Sequence, residues 1–303
     1  MTAHYTYRDC LRRAERITWK VEDLIGPGRT LDFSRPFLPE SLACARAADC
    51  LDADEQRALN QIRAHAYLSI FGLVEEFILP FVLDHARPIL SGDDWRARAF
   101  LEFASEEAKH IQLFHMFRDE FTRDFGFPCA VIGPPETVAG HVLSHTALSV
   151  ALLTLHIEWM TQRHYLDSVR DDQALDPAFK SLLLHHWMEE HQHAQLDTLM
   201  VESIAEALTP VEIEEGVDGY LALVGFLDDG LKQQTAFDLD ALEGKIGRKL
   251  DESARAGLAE SQLRANRWTY IGSGMSHPKF LETLNRLAPP RAGEIEGLAP
   301  RYS

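Results

Sequence analysis

Residues 106–114, EEAKHIQLF, and residues 189–197, EEHQHAQLD, are near copies of each other. Five of the nine aligned positions are identical, and both copies contain a Glu-x-x-His. The paired residues are Glu107 with His110 and Glu190 with His193. Residues three apart share one face of a helix, so each copy presents a carboxylate and an imidazole in the same direction. The repeat therefore predicts two helices that bring similar ligands to one metal site.

Each copy also follows a glutamate within an apolar stretch, which is Glu75 or Glu76 before the first copy and Glu158 before the second. A Glu from each of two helices, with a Glu-x-x-His from each of two others, is the ligand set of a di-metal four-helix bundle. An unpartnered Glu158 would be costly to bury among its apolar neighbours, and metal ligation removes that cost. The sequence therefore predicts an all-α fold with a four-helix di-metal core and additional helices.

Two arguments disagree about which of Glu75 and Glu76 is the ligand. The separation of Glu75 from Glu107 equals that of Glu158 from Glu190, which favours Glu75. The small residues one and two helical turns before Glu76 match those before Glu158, which favours Glu76. Loops vary in length more easily than helix faces change in character. On that ground we predict Glu76 as the ligand.

The second copy offers a third ligand, because His186, Glu190 and His193 follow one another at i, i+4 and i+7. At about 100° per residue these side chains fall within roughly a 60° arc of one helix face. The first copy has Phe103 at the position that matches His186, so the site is predicted to be asymmetric.

Several residues near this face are predicted to have supporting roles. Asp197 is a candidate to accept a hydrogen bond from a ligand histidine, and a solvated position on its helix explains it equally well. Phe103 and Thr154 each lie one turn from a ligand and are expected to line the cavity. Glu106 and Glu189 lie off the ligand face and are expected to be surface or helix–helix polar residues. Histidines without partner spacing are interpreted as ordinary packed or exposed side chains: His65, His115, His156 and His164.

At these positions the chain resembles the p-aminobenzoate N-oxygenase family of the ferritin-like superfamily. The third histidine is the distinguishing feature, because ferritins and rubrerythrins generally have two. The resemblance covers about residues 65–200. It implies a ferritin-like helical bundle, two iron ions with manganese as a substitute, and O₂ as the co-substrate. The implied metal ligands are Glu76, Glu107, His110, Glu158, His186, Glu190 and His193.

Composition restricts the partners of the chain. The formal net charge of −17 argues against a non-specific nucleic-acid binder, which needs a basic surface. The four cysteines show no C-x-x-C spacing and are interpreted as reduced thiols of a cytoplasmic protein. The first twenty residues do not look like a signal peptide, and we expect no uncharged apolar stretch of membrane-spanning length.

Proline and glycine positions divide the chain into helices. We predict a single all-helical domain over 1–303, with a metal-binding core at about 52–208 and extra helices at 5–24 and 210–287. The core helices are predicted at 52–83, 93–125, 134–168 and 176–208. Later helices are predicted at 210–235, 251–270 and 278–287, with a short helix or turn at 238–250 and a surface tail at the end.

Three functions compete. The first is an O₂-activating di-iron oxygenase that acts on a small organic substrate, such as an amine. Its electrons come from a separate donor because the sequence carries no Gly-x-Gly-x-x-Gly fingerprint for a flavin or nicotinamide, and a homodimer is compatible with it. The second is a ferritin-like protein that handles iron or peroxide without an organic substrate. The third is a metal-free helical protein, which would leave several charged residues on apolar faces without partners.

Overall fold

The computed structural model describes residues 5–302, which are helical almost throughout. Within this range the only β-type pairing is one isolated bridge between Gly26 and Arg29. The predicted all-α class is confirmed. The α-helices are α1 Tyr7–Ala14, α2 Val21–Leu24, α3 Glu40–Ala43, α4 Ala53–Ala86, α5 Asp94–Phe125, α6 Pro135–Leu143, α7 Ala147–His164, α8 Pro177–Ala205, α9 Pro210–Ile246, α10 Glu252–Arg267, α11 Ser273–Met275, α12 Pro278–Leu287 and α13 Pro289–Leu298.

Four of these helices, α4, α5, α7 and α8, form the central bundle. α4 packs along α5, α7 packs along α8, and α5 also contacts α8. In each pair the first helix carries the glutamate that precedes a repeat copy, and the second helix carries the Glu-x-x-His of that copy. The predicted four-helix core with additional helices, which is the ferritin-like arrangement, is therefore confirmed.

Side-chain caps fix where the ligand-bearing helices begin. Asp52 accepts hydrogen bonds from the backbone amides of Asp54 and Glu55, and the Glu55 carboxylate in turn accepts from the Asp52 amide. Asp176 accepts from the amide of Phe179 at the start of α8. Such caps stabilise a helix by about 1 kcal/mol each. The two capping residues, Asp52 and Asp176, are the first residues of the ranges predicted for these helices.

Two helix breaks differ from the prediction. The helix predicted at 134–168 is divided into α6 and α7, because the Thr146 side chain accepts from the amide of Ser149 and starts a new helix there. The helix predicted at 5–24 is divided into α1 and α2. Both breaks lie in stretches without an internal proline, so no strong helix-breaking residue marks them in the sequence.

Near the other end of the chain the helices are longer than predicted. The segments predicted at 210–235 and 238–250 form one helix, α9, which ends where Gly247 adopts a left-handed conformation with φ of 70°. The expected surface tail after Pro289 contains α13. α9 packs against both α4 and α7, so it covers the side of the bundle opposite the contact of α5 with α8.

In the described range one helix, α4 with the short turn that follows it, is long and apolar enough to be considered as a membrane span. Residues Ala53–Ile89 have a mean hydropathy of 1.8 over an 18-residue window, enough by length and composition to cross a membrane. Every 18-residue window of this segment includes at least one charged residue, so the expectation that no uncharged apolar stretch reaches that length is not contradicted. In the structure 72% of the apolar window is buried within the protein, and the helix carries a buried glutamate. Its apolar surface is therefore used to build the core.

Candidate metal centre

The four bundle helices bring carboxylates and imidazoles into one buried cluster. Two sets of four side chains each offer ligand atoms that all lie within 4.8 Å of one another. His110 and Glu190 belong to both sets, so the two sets adjoin. The sets are Glu75, His110, His186 and Glu190, and Glu107, His110, Glu190 and His193.

Glu75, not Glu76, faces this cluster. Glu75 Oε1 lies 3.1 Å from His186 Nε2 and 3.6 Å from His110 Nδ1. Glu76 is turned by about 100° around α4, and its half-buried carboxylate lies 3.6 Å from His115 at the surface. The structure therefore corrects the prediction of Glu76. The equal separation of the glutamates in the two repeats identified the right residue, and the matching of helix faces did not.

Glu158 is buried where the sequence predicted it, against Glu190. Burial and the neighbouring Glu190 raise the pKa of Glu158 well above its usual range. Burial acts the same way on Glu190, but the His186 and His193 imidazoles outweigh it and hold the pKa of Glu190 well below its usual value. The pKa values of the two neighbouring carboxylates are therefore shifted in opposite directions.

Four inward-facing atoms of the two repeat copies approach one another closely without forming hydrogen bonds. His193 Nδ1 lies 2.9 Å from Glu107 Oε1, and His110 Nδ1 lies 3.2 Å from Glu190 Oε1. Within residues 5–302, none of these four atoms completes a hydrogen bond. Buried polar atoms are nearly always hydrogen-bonded. Nitrogen and oxygen atoms that lie this close without a hydrogen bond between them are expected where metal ligands converge on a cation.

A crosswise pair of hydrogen bonds orients the two repeat histidines. His110 Nε2 donates to Glu189 Oε2 at 2.8 Å, and His193 Nε2 donates to Glu106 Oε2 at 2.8 Å. Each carboxylate belongs to the helix of the other repeat. With Nε2 as the donor, the Nδ1 lone pair of each ring faces the cluster, as for metal-binding histidines held by an outer carboxylate.

Sequence reasoning did not assign this role to Glu106 and Glu189. Both carboxylates are buried, so they are helix–helix residues and not surface residues. The available signal was the repeated Glu-Glu pair, in which the first glutamate recurs as faithfully as the second.

Trp19 and Lys109 cover the outer side of His110. The Trp19 ring stacks on the His110 ring with centroids 6.0 Å apart and an interplanar angle of 7°. Lys109 Nζ forms an ion pair with Glu189 and lies 4.0 Å from the centre of the Trp19 ring. Although burial raises the pKa of Glu189, hydrogen bonds from His110 and Lys109 leave it lower than usual. Trp19 lies between α1 and α2, and no sequence pattern connected it with the cluster.

The third imidazole, His186, extends the cluster toward α4. Its Nε2 lies 2.8 Å from Glu190 Oε1. The rings of Phe71 and Phe114 pack around it, with centroids at 5.5 Å and 5.1 Å. Phe103, the matching residue of the first repeat, stacks on His193 at 4.1 Å. The asymmetry that the sequence predicted is present in the structure.

The other two supporting residues behave differently from each other. Asp197 is fully buried, and burial is the main cause that raises its pKa well above the usual range. In the described part of the chain neither of its oxygens has a hydrogen-bond partner, so the expected bond from a ligand histidine is not formed. Thr154 is also buried, but its hydroxyl donates to the Val150 carbonyl at 3.1 Å within α7.

The cluster concentrates negative charge away from water. Burial and the Glu75 charge raise the pKa of Glu107 to about 7. Burial alone would lower the pKa of the imidazoles, yet the surrounding carboxylates raise it for His110, His186 and His193. For the carboxyl group and for the imidazoles alike, a raised pKa means that the protonated and therefore more positive form is favoured in this site. Carboxylates with imidazoles and no thiolate suit iron or manganese, so the residues present fit a di-metal centre.

The chain matches no family model and no curated protein sequence. Among solved structures it is similar to a mutant R2-like ligand-binding oxidase with an Fe/Fe cofactor, at 16% identity and a TM-score of 0.47, over 89% of this chain and 94% of that one. It is also similar to an R2-like ligand-binding oxidase with a Mn/Fe cofactor, at 14% identity and a TM-score of 0.44, over 89% and 93%. Similarity at this level identifies neither a family nor an activity.

Proposed function

We propose that this protein is an O₂-activating non-haem di-iron oxygenase that acts on a small organic substrate. The observation that carries the proposal is the pair of adjoining four-residue sets that share His110 and Glu190. Two cations held side by side need ligand sets of this kind, with groups between them that can serve both.

The residues that would hold the metals follow from the two sets. One ion would be held on the side of Glu75 and His186, and the other on the side of Glu107 and His193. Glu158 adds a carboxylate beside Glu190. The proposed ligands are thus those predicted from the sequence, with Glu75 in place of Glu76.

When bound, two iron ions supply the electron-transfer chemistry that reduces O₂, and manganese is the substitute that the donor set also suits. The chain supports that chemistry in three ways. Glu189 and Glu106 keep the imidazole protons on Nε2. The rings of Phe71, Phe103 and Phe114 keep water away from the imidazoles. The reducing electrons come from a separate donor, and transfer of oxygen to an amine is the reaction that the family resemblance implies.

The test combines metal content with isotope transfer. The iron-loaded protein should contain two ions per chain, and after reduction it should place ¹⁸O from ¹⁸O₂ into a small organic product detected by mass spectrometry. Zinc-loaded protein is the redox-inert control and should give no product. Fewer than two ions per chain would disprove the di-metal centre. Iron that accumulates as a mineral, without organic product, would instead establish the ferritin-like storage function.

A further inference from the structure

A cavity of about 300 Å³ lies between α4, α6, α7 and α9. α9 and α6 both pack on α4, and α9 also packs on α7, so these helices enclose the side of the bundle away from α5 and α8. At about 30 Å³ per water-sized group, the cavity has room for roughly ten such groups. This size matches the lower end of small-molecule sites in proteins.

The cavity is lined almost entirely by hydrocarbon side chains. Val74 of α4, Leu153 and Ile157 of α7, and Leu223 and Leu227 of α9 form its wall. Among the lining residues in the described part of the chain there is no lysine, arginine or histidine.

Its few polar side chains belong to exposed residues: Thr137, Asp229 and Gln233. The Asp229 carboxylate forms an ion pair with Lys232, at 2.8 Å. An anion inside the cavity would therefore lose hydration without gaining a cationic partner from the lining.

The cavity extends toward the metal centre. Val74 and Ile157 precede Glu75 and Glu158 in the chain, with side chains turned about 100° away from those carboxylates around their helices. A second, much smaller cavity of about 10 Å³ shares Val74 and Ile157 with the first and reaches Phe71. The Phe71 ring contacts the His186 ring at 5.5 Å. A molecule in the larger cavity is thus separated from the imidazoles by a narrow apolar neck.

We propose that this cavity binds the substrate, and that the substrate is a neutral, apolar small molecule whose reactive end points through the neck toward His186. The inference rests on the proposed oxygenase function and names its substrate class. It also separates this protein from a p-aminobenzoate-type substrate, because the lining offers no cation to a carboxylate.

The test uses ¹⁹F NMR on the full chain with two matched probes, 4-fluorotoluene and its anionic counterpart 4-fluorobenzoate. Zinc-loaded protein reports binding alone. Manganese-loaded protein adds paramagnetic relaxation that falls steeply with distance from the metals. We expect 4-fluorotoluene to bind at least tenfold more tightly than 4-fluorobenzoate, and to relax faster in the manganese form.

Two substitutions locate the binding. Val138→Trp, at a half-buried lining position of α6, should fill the cavity and weaken 4-fluorotoluene binding at least tenfold. Val211→Trp, at a position of α9 that is 67% exposed and outside the lining, should change nothing. Leu227→Ala should enlarge the cavity and strengthen binding of the bulkier 4-fluorobiphenyl. Helicity by circular dichroism and metal content should be the same in all three variants.

The inference is overturned if Val138→Trp binds 4-fluorotoluene as the parent does, or if 4-fluorobenzoate binds equally well. Binding without any manganese effect would disprove the connection to the metal centre. If the protein holds fewer than two metals, the proposed function fails, and the ¹⁹F titration of the metal-free chain still decides whether the cavity binds apolar molecules.

Discussion

Glu75 Oε1 and His186 Nε2 lie 3.1 Å apart, although 111 residues separate them in the chain. Glu190 Oε1 contacts the same imidazole nitrogen at 2.8 Å. This contact joins α4 to α8 across the centre of the bundle. It also shows which of two consecutive glutamates faces inward, and that choice can be tested directly.

Glu75→Gln should lower the metal content of the protein, whereas Glu76→Gln should leave it unchanged. The first change removes a buried charge from the cluster, and the second alters a carboxylate near the surface. Metal analysis after iron loading, compared with the parent protein, gives the result. Equal losses in both variants would contradict the assignment of Glu75.

His186→Phe should keep the fold and lose occupancy of one metal. The position is buried between the rings of Phe71 and Phe114, so an aromatic replacement is tolerated there. We expect unchanged helicity by circular dichroism and about one metal per chain. Full metal content with full activity would show that His186 is an ordinary core histidine.

Glu189→Gln should weaken metal binding about 10- to 100-fold, the usual cost of removing the outer carboxylate of a ligand histidine. The amide can still occupy the space, but it no longer carries the charge that fixes the proton on His110 Nε2. Isothermal titration with Mn²⁺ measures the change. Glu202→Gln, at a half-exposed position on the same helix, is the control and should bind as the parent does. A parent-like affinity in Glu189→Gln would disprove the orienting role.

His156 should make the protein sensitive to acid. Burial lowers the pKa of His156 to about 4, and its two nitrogens are occupied by Tyr220 Oη and the Tyr270 carbonyl. An unfolded chain binds this proton with a pKa of about 6.5. The pKa of His156 is therefore lower in the folded state than in the unfolded state. The contribution of neutral His156 to stability is fully present above about pH 6.5 and is lost as the pH falls toward 4.

Replacement of His156 with glutamine should make that loss shallower. The slope of unfolding free energy against pH should fall by up to about 1.4 kcal/mol per pH unit between pH 4 and 6.5, the value for one proton. Denaturant unfolding at several pH values gives the slopes. His141→Gln, at an exposed position, should keep the slope of the parent. An unchanged slope in His156→Gln would show that another group controls the acid response.

The cluster residues that could be predicted from the sequence are those with a strong periodic signal. Two Glu-x-x-His repeats fix a shared helix face, and Glu158 stands alone among apolar neighbours. These residues meet in the structure because helical spacing determines which side chains share a direction. The four-helix core follows from the same pattern.

Other features depend on contacts that helical spacing does not encode. Glu75 and Glu76 differ by one residue, and a rotation of about 100° decides which of them is buried. Trp19 reaches His110 from a separate segment through tertiary packing alone. The break before α7 depends on one hydroxyl, that of Thr146, which caps a helix within an otherwise continuous pattern.

His110 donates a hydrogen bond to Glu189, and His193 donates one to Glu106, so each repeat copy supplies the carboxylate that orients the histidine of the other. Neither copy can orient its own histidine. A half-length ancestor with one helix pair would have needed a second identical copy, related by a two-fold axis, to supply the missing acceptor. With both copies in one polypeptide, the two halves need not be identical. The matching positions carry Phe103 in one half and His186 in the other, so only one half of the centre has the third imidazole.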